Sequence, residues 1–432
     1  MGIYPGTELT HSLLMLEKKI LGASEDIERW LEIKWQEHTP PFYGSVDLRN
    51  SGFKLAPVDM NLFPGGFNNL TDDSLPVCAK AAKEILDKLC PKAKSVLLIP
   101  ENHTRNLFYL QNVAYLITLL RQAGLEVRIG SLFAEVTFPV TTGLPSGFSF
   151  LLEPLVRKDG HLKLADFDPC LILLNNDLSA GIPEILKDIE GQSLLPPLHA
   201  GWALRRKSNH FAAYDEVTEA FAQLISIDPW LINPYFSVCN HVNFHERQGE
   251  ECLSANVDAV LQLVREKYRE YGVDKTPFVV VKADAGTYGM GVMTVKDASE
   301  IVGLNRKQRN KMSVIKEGLN VSQVIVQEGV HTCEQVGNST AEPVVYMIGR
   351  HVVGGFYRIH PNRGIDENLN APGMTFKPFD SANSCSLPDR SRKQDETSNR
   401  FYVYGVIARL EQLAAAVELE KTAGADCDDK RQ

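Results

Sequence analysis

Apolar residues recur at helical spacing through Leu13, Leu14, Leu16, Ile20, Ile27, Trp30 and Leu31, with charges between them, which predicts a helix over 10–36. Pro40-Pro41 breaks it. The stretch 42–69 is rich in Gly, Pro, Asn and Asp, with short extended pieces around Val46–Leu48 and Leu55–Met60. An amphipathic helix is expected over 73–91. The apolar run Ser95–Pro100 then reads as a buried strand, Asn106–Ala123 as a helix closed by Gly124, and Glu126–Gly130 as the next strand. Strand, helix and strand at this spacing predict a βαβ unit with a parallel sheet. Cys170–Leu174 is a further buried strand, and Ile182–Ile189 a further helix.

From about 226 the pattern changes to mixed α+β. A helix is expected over Asn256–Tyr271, with strands at Phe278–Lys282, Gly291–Val295, Val324–Glu328, Val344–Ile348 and Val352–Ile359. Lys296–Val302 begins a helical stretch, Asn383–Arg400 reads as an exposed loop, and Val406–Glu420 as a last helix. At 432 residues the chain exceeds one compact core. The division expected is an N-terminal segment 1–72, a Rossmann-like parallel-sheet domain 73–225, a second lobe with its lid over 226–420, and a disordered tail 421–432. The first segment should pack on the second lobe.

Composition narrows the function. A formal net charge of −9 argues against a nucleic-acid binder. The eight cysteines are scattered without a CxxC pair, so free thiols in a reducing cytoplasm are expected, with no zinc site. The first ten residues lack the apolar core of a signal peptide, and no apolar run is long enough to span a membrane.

The strongest local signal is FVVVKADAGTYGMGVMTVKD, 278–297. A strand delivers Lys282, a glycine-rich turn follows, and the chain returns as a strand. Such glycines let backbone N–H groups reach phosphate oxygens, and the lysine sets a positive charge beside them. Ala285, Gly286, Thr287, Tyr288, Gly289 and Gly291 are the candidate ATP contacts. No Gly-Lys-Ser/Thr precedes a helix, so this is no Walker A loop. It is no dinucleotide fingerprint either, because a strand follows. The strand–Lys–glycine loop–strand order resembles an ATP-grasp lid; a plain β-hairpin would share it.

Two further segments follow in ATP-grasp order. VIVQEGV, 324–330, resembles the hinge strand, with Gln327 at the adenine edge and Glu328 at the ribose. VVGGFYRIH and ENLNAPGMTF, 352–376, resemble the arginine strand and small-residue loop of prokaryotic glutathione synthetases. That likeness implies that Arg358 stabilises the transferring phosphoryl group and that Asn368, Asn370 and Gly373 line the loop. Pro372-Gly373-Met374-Thr375 also matches the end of a D-alanine–D-alanine ligase string, with the asparagine spacing off by one.

ATP-grasp chemistry needs Mg²⁺ ligands from a strand pair after the arginine strand, yet only one helix remains there. The N-terminal segment SVDLRNSGFKLAPVDMNLFPGGFNN, 45–69, offers them instead. It carries Asp47 on one short strand and Asp59-x-Asn61 on the next; skipping one residue puts both side chains on one face. We therefore expect a circularly permuted ATP-grasp fold with metal ligands Asp47, Asp59 and Asn61, the alternative being Glu367, Asn368 and Asn370. The amino-acid substrate needs cations and amides. Candidates are Arg49, Lys54, Asn68, Asn69, Asn368, Asn370 and Gly373, with Arg105 at a strand C-terminus. Lys207 is either a second phosphate contact or part of a solvated basic face, Arg205-Arg206-Lys207. His103, His210 and His360 read as structural.

Together VDMNLFPGGFNN, VVVKADAGTYGMGV, VVGGFYRIH and ENLNAPGMTF resemble the proteobacterial type of glutamate–cysteine ligase over roughly 10–420. The resemblance implies a cytoplasmic enzyme that uses ATP and Mg²⁺ to join the γ-carboxylate of L-glutamate, through an acyl phosphate, to the amine of L-cysteine. Its partners would be small molecules, with no nucleic acid or membrane, and a homo-oligomer stays open. Another ATP-grasp ligase with a different acceptor, or a non-catalytic nucleotide-binding relative, are the alternatives. A dinucleotide oxidoreductase is disfavoured, because Glu101–Asn106 after the first parallel strand has no glycine.

Overall fold

The computed structural model describes residues 11–102, 106–285, 291–313, 320–379, 388 and 400–428. Three sheets organise it. The largest is antiparallel and joins the two ends of the chain. Its strands run in the order Thr375–Pro378, His351–His360, Ser339–Ile348, Tyr43–Asn50 and Leu55–Asn61, with Gln335–Val336 added against Ser339–Ile348. Tyr43–Asn50 and Leu55–Asn61 form a hairpin closed at Ser51–Lys54, where Gly52 takes φ 85° and donates its N–H to Asn50 Oδ1.

Side-chain alternation gives this sheet one apolar face and one on which the polar site residues stand beside Val344, Tyr346 and Phe356. Val46, Leu48, Met60, Val345, Met347 and Tyr357 belong to the main core. The helix Arg400–Asp428 packs against four of its strands and against the helix Lys207–Ile225. Both this helix and the hairpin exceed their expected bounds. The helix begins at Arg400 because Phe401, Tyr402, Val403 and Tyr404 are all buried; an element covered on every side has no amphipathic period to reveal its start. It also continues to Asp428, where a frayed tail from 421 is expected.

A four-stranded antiparallel sheet follows the order Phe236–Asn240, Gln323–Glu328, Val279–Ala283, Val292–Val295. The helix Glu250–Glu270 backs it, beginning six residues earlier than the apolar period suggests. The third sheet follows the order Ser193–Leu195, Leu171–Asn175, Ser95–Pro100, Glu126–Ser131, Ser149–Pro154, Val140–Gly143. All its pairings are parallel except the last. Helices Ser74–Leu89 and Leu107–Gln122 contribute buried apolar residues to its core. The expected parallel βαβ unit is therefore present.

Two expected helices differ. Residues 11–37 form two helices, His11–Gly22 and Ser24–Glu37, rather than one. Ile182–Ile189 holds only a 3-10 turn at Glu184–Leu186, because Gly181 and Asp188 take positive φ on either side of Pro183. Among the described residues no helix is long and apolar enough to cross a membrane.

Candidate active site

Two cavities open on the face of the large sheet that carries the polar site residues. The first lies between it and the four-stranded sheet. Asp47, Arg49, Asp59 and Glu342 line one side, and Val280, Lys282, Thr294 and Gln327 the other. These placements follow from strand periodicity. Val280 and Lys282 lie two apart on one strand, and Val280 pairs with both Gln327 and Thr294, so all four share a face.

The second cavity lies between the same large sheet and the C-terminal ends of the parallel strands. Asn61, Asn68, Asn69, Tyr346 and Arg358 line it from one side, and Glu101, Tyr109 and Asp177 from the other. Glu101 and Asp177 each sit just past a parallel strand, where such sheets expose their ligand sites. Asp47, Asp59 and Asn370 line both cavities, so the two meet at the acids.

The acids face one another by register: Asp47 pairs with Asp59 across the hairpin. Like charges directly opposite are destabilising unless cations answer them. Arg358 does so with two contacts to Asp47, at 2.6 and 3.1 Å, and one to Glu342 at 2.7 Å. Arg49 Nε donates to Glu342 at 2.9 Å. Lys207 Nζ donates to Asp59 and lies 4.3 Å from the Trp202 ring centre. Lys282 Nζ donates at 2.7 Å to both Val58 O and Gln327 Oε1.

The ionisation of these groups follows from burial set against neighbours. Burial raises the Asp47 carboxyl despite Arg358, with Glu342 and Asp59 adding to the rise. Burial would raise Asp59 too, but Lys207 and Lys282 outweigh it and hold the group down at about 2. Burial opposes ionisation of Glu342, yet Arg49 and Arg358 keep it below the usual carboxylate range. Burial lowers the Lys282 ammonium to about 8.

Most of the expected residues converge here. Arg49, Lys207, Gln327, Glu328, Glu367 and Asn368 join Asp47, Asp59 and Lys282 at the first cavity. Asn61, Asn68, Asn69 and Gly373 join Arg358 at the second, and Asn370 touches both. Ala285 and Gly291 are the described ends of the glycine-rich segment, and Gly291 takes φ 60°. Gly286, Thr287, Tyr288, Gly289 and Arg105 lie outside the described residues.

Several roles differ from expectation. Lys54, expected at the substrate, is fully buried away from both cavities. It pairs with Glu328 at 2.8 Å and lies 4.4 Å from the Trp230 ring centre. The Glu328 carboxylate, expected at the ribose, serves that lysine and accepts N–H donors from Trp230 and Tyr235. Arg49 faces the first cavity rather than the amide-lined second one. Arg205 and Lys207 are buried, not a solvated basic face, because each meets a carboxylate inside the protein. The alternative metal ligand Glu367 is half-exposed and paired with Arg363 at 2.8 Å.

Sequence reasoning missed Glu342, Trp202, Tyr346 and Asp177. Glu342 had a faint signal: an acid in a strand that is otherwise apolar and buried. Trp202 had none, since only folding brings it beside Lys207.

A family model described as "GshA: Glutamate-cysteine ligase" matches residues 17–419. A solved structure from Methylobacillus flagellatus KT, described provisionally as a gamma-glutamylcysteine synthetase, is 61% identical. The match covers 98% of this chain and 100% of that one, with a TM-score of 0.90. D-alanyl-alanine synthetase A from Vibrio cholerae O1 matches at 11% identity over 74% of this chain and 81% of its own, with a TM-score of 0.34. A glutathione synthetase-like effector from Globodera pallida matches at 9% identity over 87% and 84%, with a TM-score of 0.35. Scores that low support no statement about this chain. None of the curated proteins matches it.

Proposed function

The chain belongs to the glutamate–cysteine ligase family, and from that premise we propose how its two cavities divide the reaction. The reaction joins L-glutamate to L-cysteine at the expense of ATP and is the first step of glutathione synthesis. The observation that carries the division is the shared wall: Asp47 and Asp59 line both cavities. The nucleotide takes the cavity under the four-stranded sheet, and glutamate the one at the parallel strand ends.

In the first cavity Lys282 sits beside the nucleotide phosphates, with Lys207 bordering the same space. Gln327 supports the nucleotide assignment. Its Oε1 is engaged by Lys282, but its Nε2 is buried without a partner, a donor free for an acceptor on a ligand. The second cavity supplies amides for an amino acid. Asn68 Oδ1 is buried without a partner and can accept from an ammonium.

The donor set where the cavities meet fits a hard divalent cation. Two carboxylates face each other, and Asn61 follows on the same strand face as Asp59. Among the described residues no three His, Cys, Asp or Glu side chains form a ready-made site, so an amide and the nucleotide phosphates would complete the shell. Mg²⁺ would be held by Asp47, Asp59 and Asn61 and would supply charge neutralisation for phosphoryl transfer. Glu367 lines the first cavity only, away from the place where the two cavities meet.

A γ-carboxylate oxygen of glutamate attacks the terminal phosphorus and ADP leaves. The cysteine amine then attacks the acyl carbon of the resulting acyl phosphate, loses a proton, and inorganic phosphate departs. Arg358 bridges Asp47 and Glu342 at this point, and its Nε is buried without a partner. It is placed to bind the transferring group while aligned by both acids.

This arrangement is read as an ATP-grasp lobe in permuted order. The support is topological: the N-terminal hairpin fills the strand positions beside Ser339–Ile348 that a C-terminal pair would otherwise fill. The parallel sheet of 73–225 is the Rossmann-like substrate domain, and 226–420 with 1–72 the nucleotide lobe.

Phosphate release tests the reading. It should require ATP, glutamate and cysteine together, and Asp59→Asn should abolish it without loss of fold. Release that proceeds with another acceptor in place of cysteine, and not with cysteine, would sink it.

A further inference from the structure

Cys239 and Cys252 bring their sulfurs to 2.9 Å, although their side chains come from different elements. That is shorter than the roughly 3.5–4.0 Å of an ordinary nonbonded contact. Cys239 lies on Phe236–Asn240, the edge strand of the four-stranded sheet, and is fully buried. Cys252 lies in the first turn of the helix Glu250–Glu270 and is exposed.

Access makes Cys252 the attacking sulfur. Ser237 Oγ donates to Asn256 Oδ1, and the Asn256 amide nitrogen donates to Cys252 O at 3.0 Å and lies 3.4 Å from its Sγ. Cys239 is the opposite case: burial, with Cys252 beside it, pushes its thiol up to about 12. Chemistry therefore starts at the exposed sulfur, and the buried one resolves it. No other cysteine pair shows such an approach among the described residues.

We propose that Cys239 and Cys252 form a dithiol modification site that reacts with low-molecular-weight disulfides to close an internal disulfide. The Cys252 thiolate attacks one sulfur of the reagent; a new S–S bond forms, the reagent's bond breaks, and one thiolate leaves. Cys239, giving up its proton, attacks the Cys252 sulfur of the mixed disulfide, and the second reagent thiol departs. Two protein thiols are oxidised, and one external disulfide is reduced to two thiols. The strand so clipped pairs with Gln323–Glu328, which carries Gln327. The link would thus brace the sheet above the first cavity. The enzyme's acceptor and product are themselves small thiols, whose oxidised forms are this class of reagent.

Full-length reduced protein, treated with bis(2-hydroxyethyl) disulfide, quenched in acid and digested, provides the test. The peptides bearing Cys239 and Cys252 should be recovered linked, and dithiothreitol should separate them. Cys239→Ser should stop at a stable hydroxyethylthio adduct on Cys252, while Cys252→Ser should leave Cys239 unmodified. Neither residue lines a cavity, so both variants should keep basal ligase activity, which also verifies their fold. An adduct that persists on Cys252 of the wild type, a link to another cysteine, or modification of Cys239 in Cys252→Ser would each overturn the proposal.

Discussion

Two clusters of carboxylates and cations flank the strand Leu55–Asn61, and they share one vocabulary. On one side Asp47, Asp59 and Glu342 face Arg49, Arg358 and Lys207 at the walls of open cavities. On the other, Arg205, His210, Glu411 and Glu418 are sealed from solvent. In the sealed cluster Arg205 makes two contacts with Glu418, at 2.9 and 2.8 Å, and His210 lies between Glu418 and Glu411. Arg205 also donates to Met60 O at 2.9 Å, fixing the backbone next to Asp59. Composition does not separate the two clusters. What does is that one borders space for a ligand, whereas the other is closed to any, even though Glu411 Oε1 is left there without a partner.

The comparison yields predictions of decreasing size. Arg358→Met should lower kcat by about three orders of magnitude, because a group that stabilises a transferring phosphoryl is worth roughly 10³–10⁵. Its unfolding midpoint should fall far less than its activity; the converse would place Arg358 with the sealed cluster. Glu418→Ala should do the reverse. Breaking a buried ion pair costs about 3–5 kcal/mol of stability. Denaturant unfolding should show that loss, with kcat reduced only through the displaced Asp59 strand. Lys282→Met should raise KM for ATP by about tenfold, one charge-assisted hydrogen bond being worth roughly 1.5–3 kcal/mol. Steady-state rates against ATP concentration would measure it.

The smallest effect is a pH slope. His210 is held at about 9, burial being outweighed by Glu411 and Glu418. A histidine raised above its unfolded value, about 6.5, contributes stability fully present below that value. The contribution is lost as pH rises through 9. His210→Asn should flatten the stability profile between those limits. An unchanged slope would mean that the sealed cluster does not carry its charge.

Part of this architecture is legible from local order. The strand delivering Lys282 and the Arg358 strand announce themselves because their apolar patterns act over a few positions. The Asp59-x-Asn61 spacing likewise puts both side chains on one strand face. The pairing of Lys54 with Glu328 is hidden for the opposite reason. Lys54 closes the hairpin turn and Glu328 ends a strand bearing site residues, yet the two meet at 2.8 Å across 274 positions of sequence. The start of the last helix at Arg400 was hidden because burial on all sides erases periodicity.

The sequence by itself determined the strands of strongest apolar pattern, such as Val279–Ala283 and His351–His360, and which residue types are offered to the reaction, but not short strands such as Phe236–Asn240 and Thr375–Pro378. These are consequences of backbone geometry over a few residues. Only the tertiary structure decided that Asp47 meets Arg358, 311 positions away, and that Lys207 turns inward to Asp59. It alone set the two cavities against a common wall. Charge pairing and burial act through space, and the chain brings those groups together only by closing its N-terminal hairpin onto its C-terminal strands.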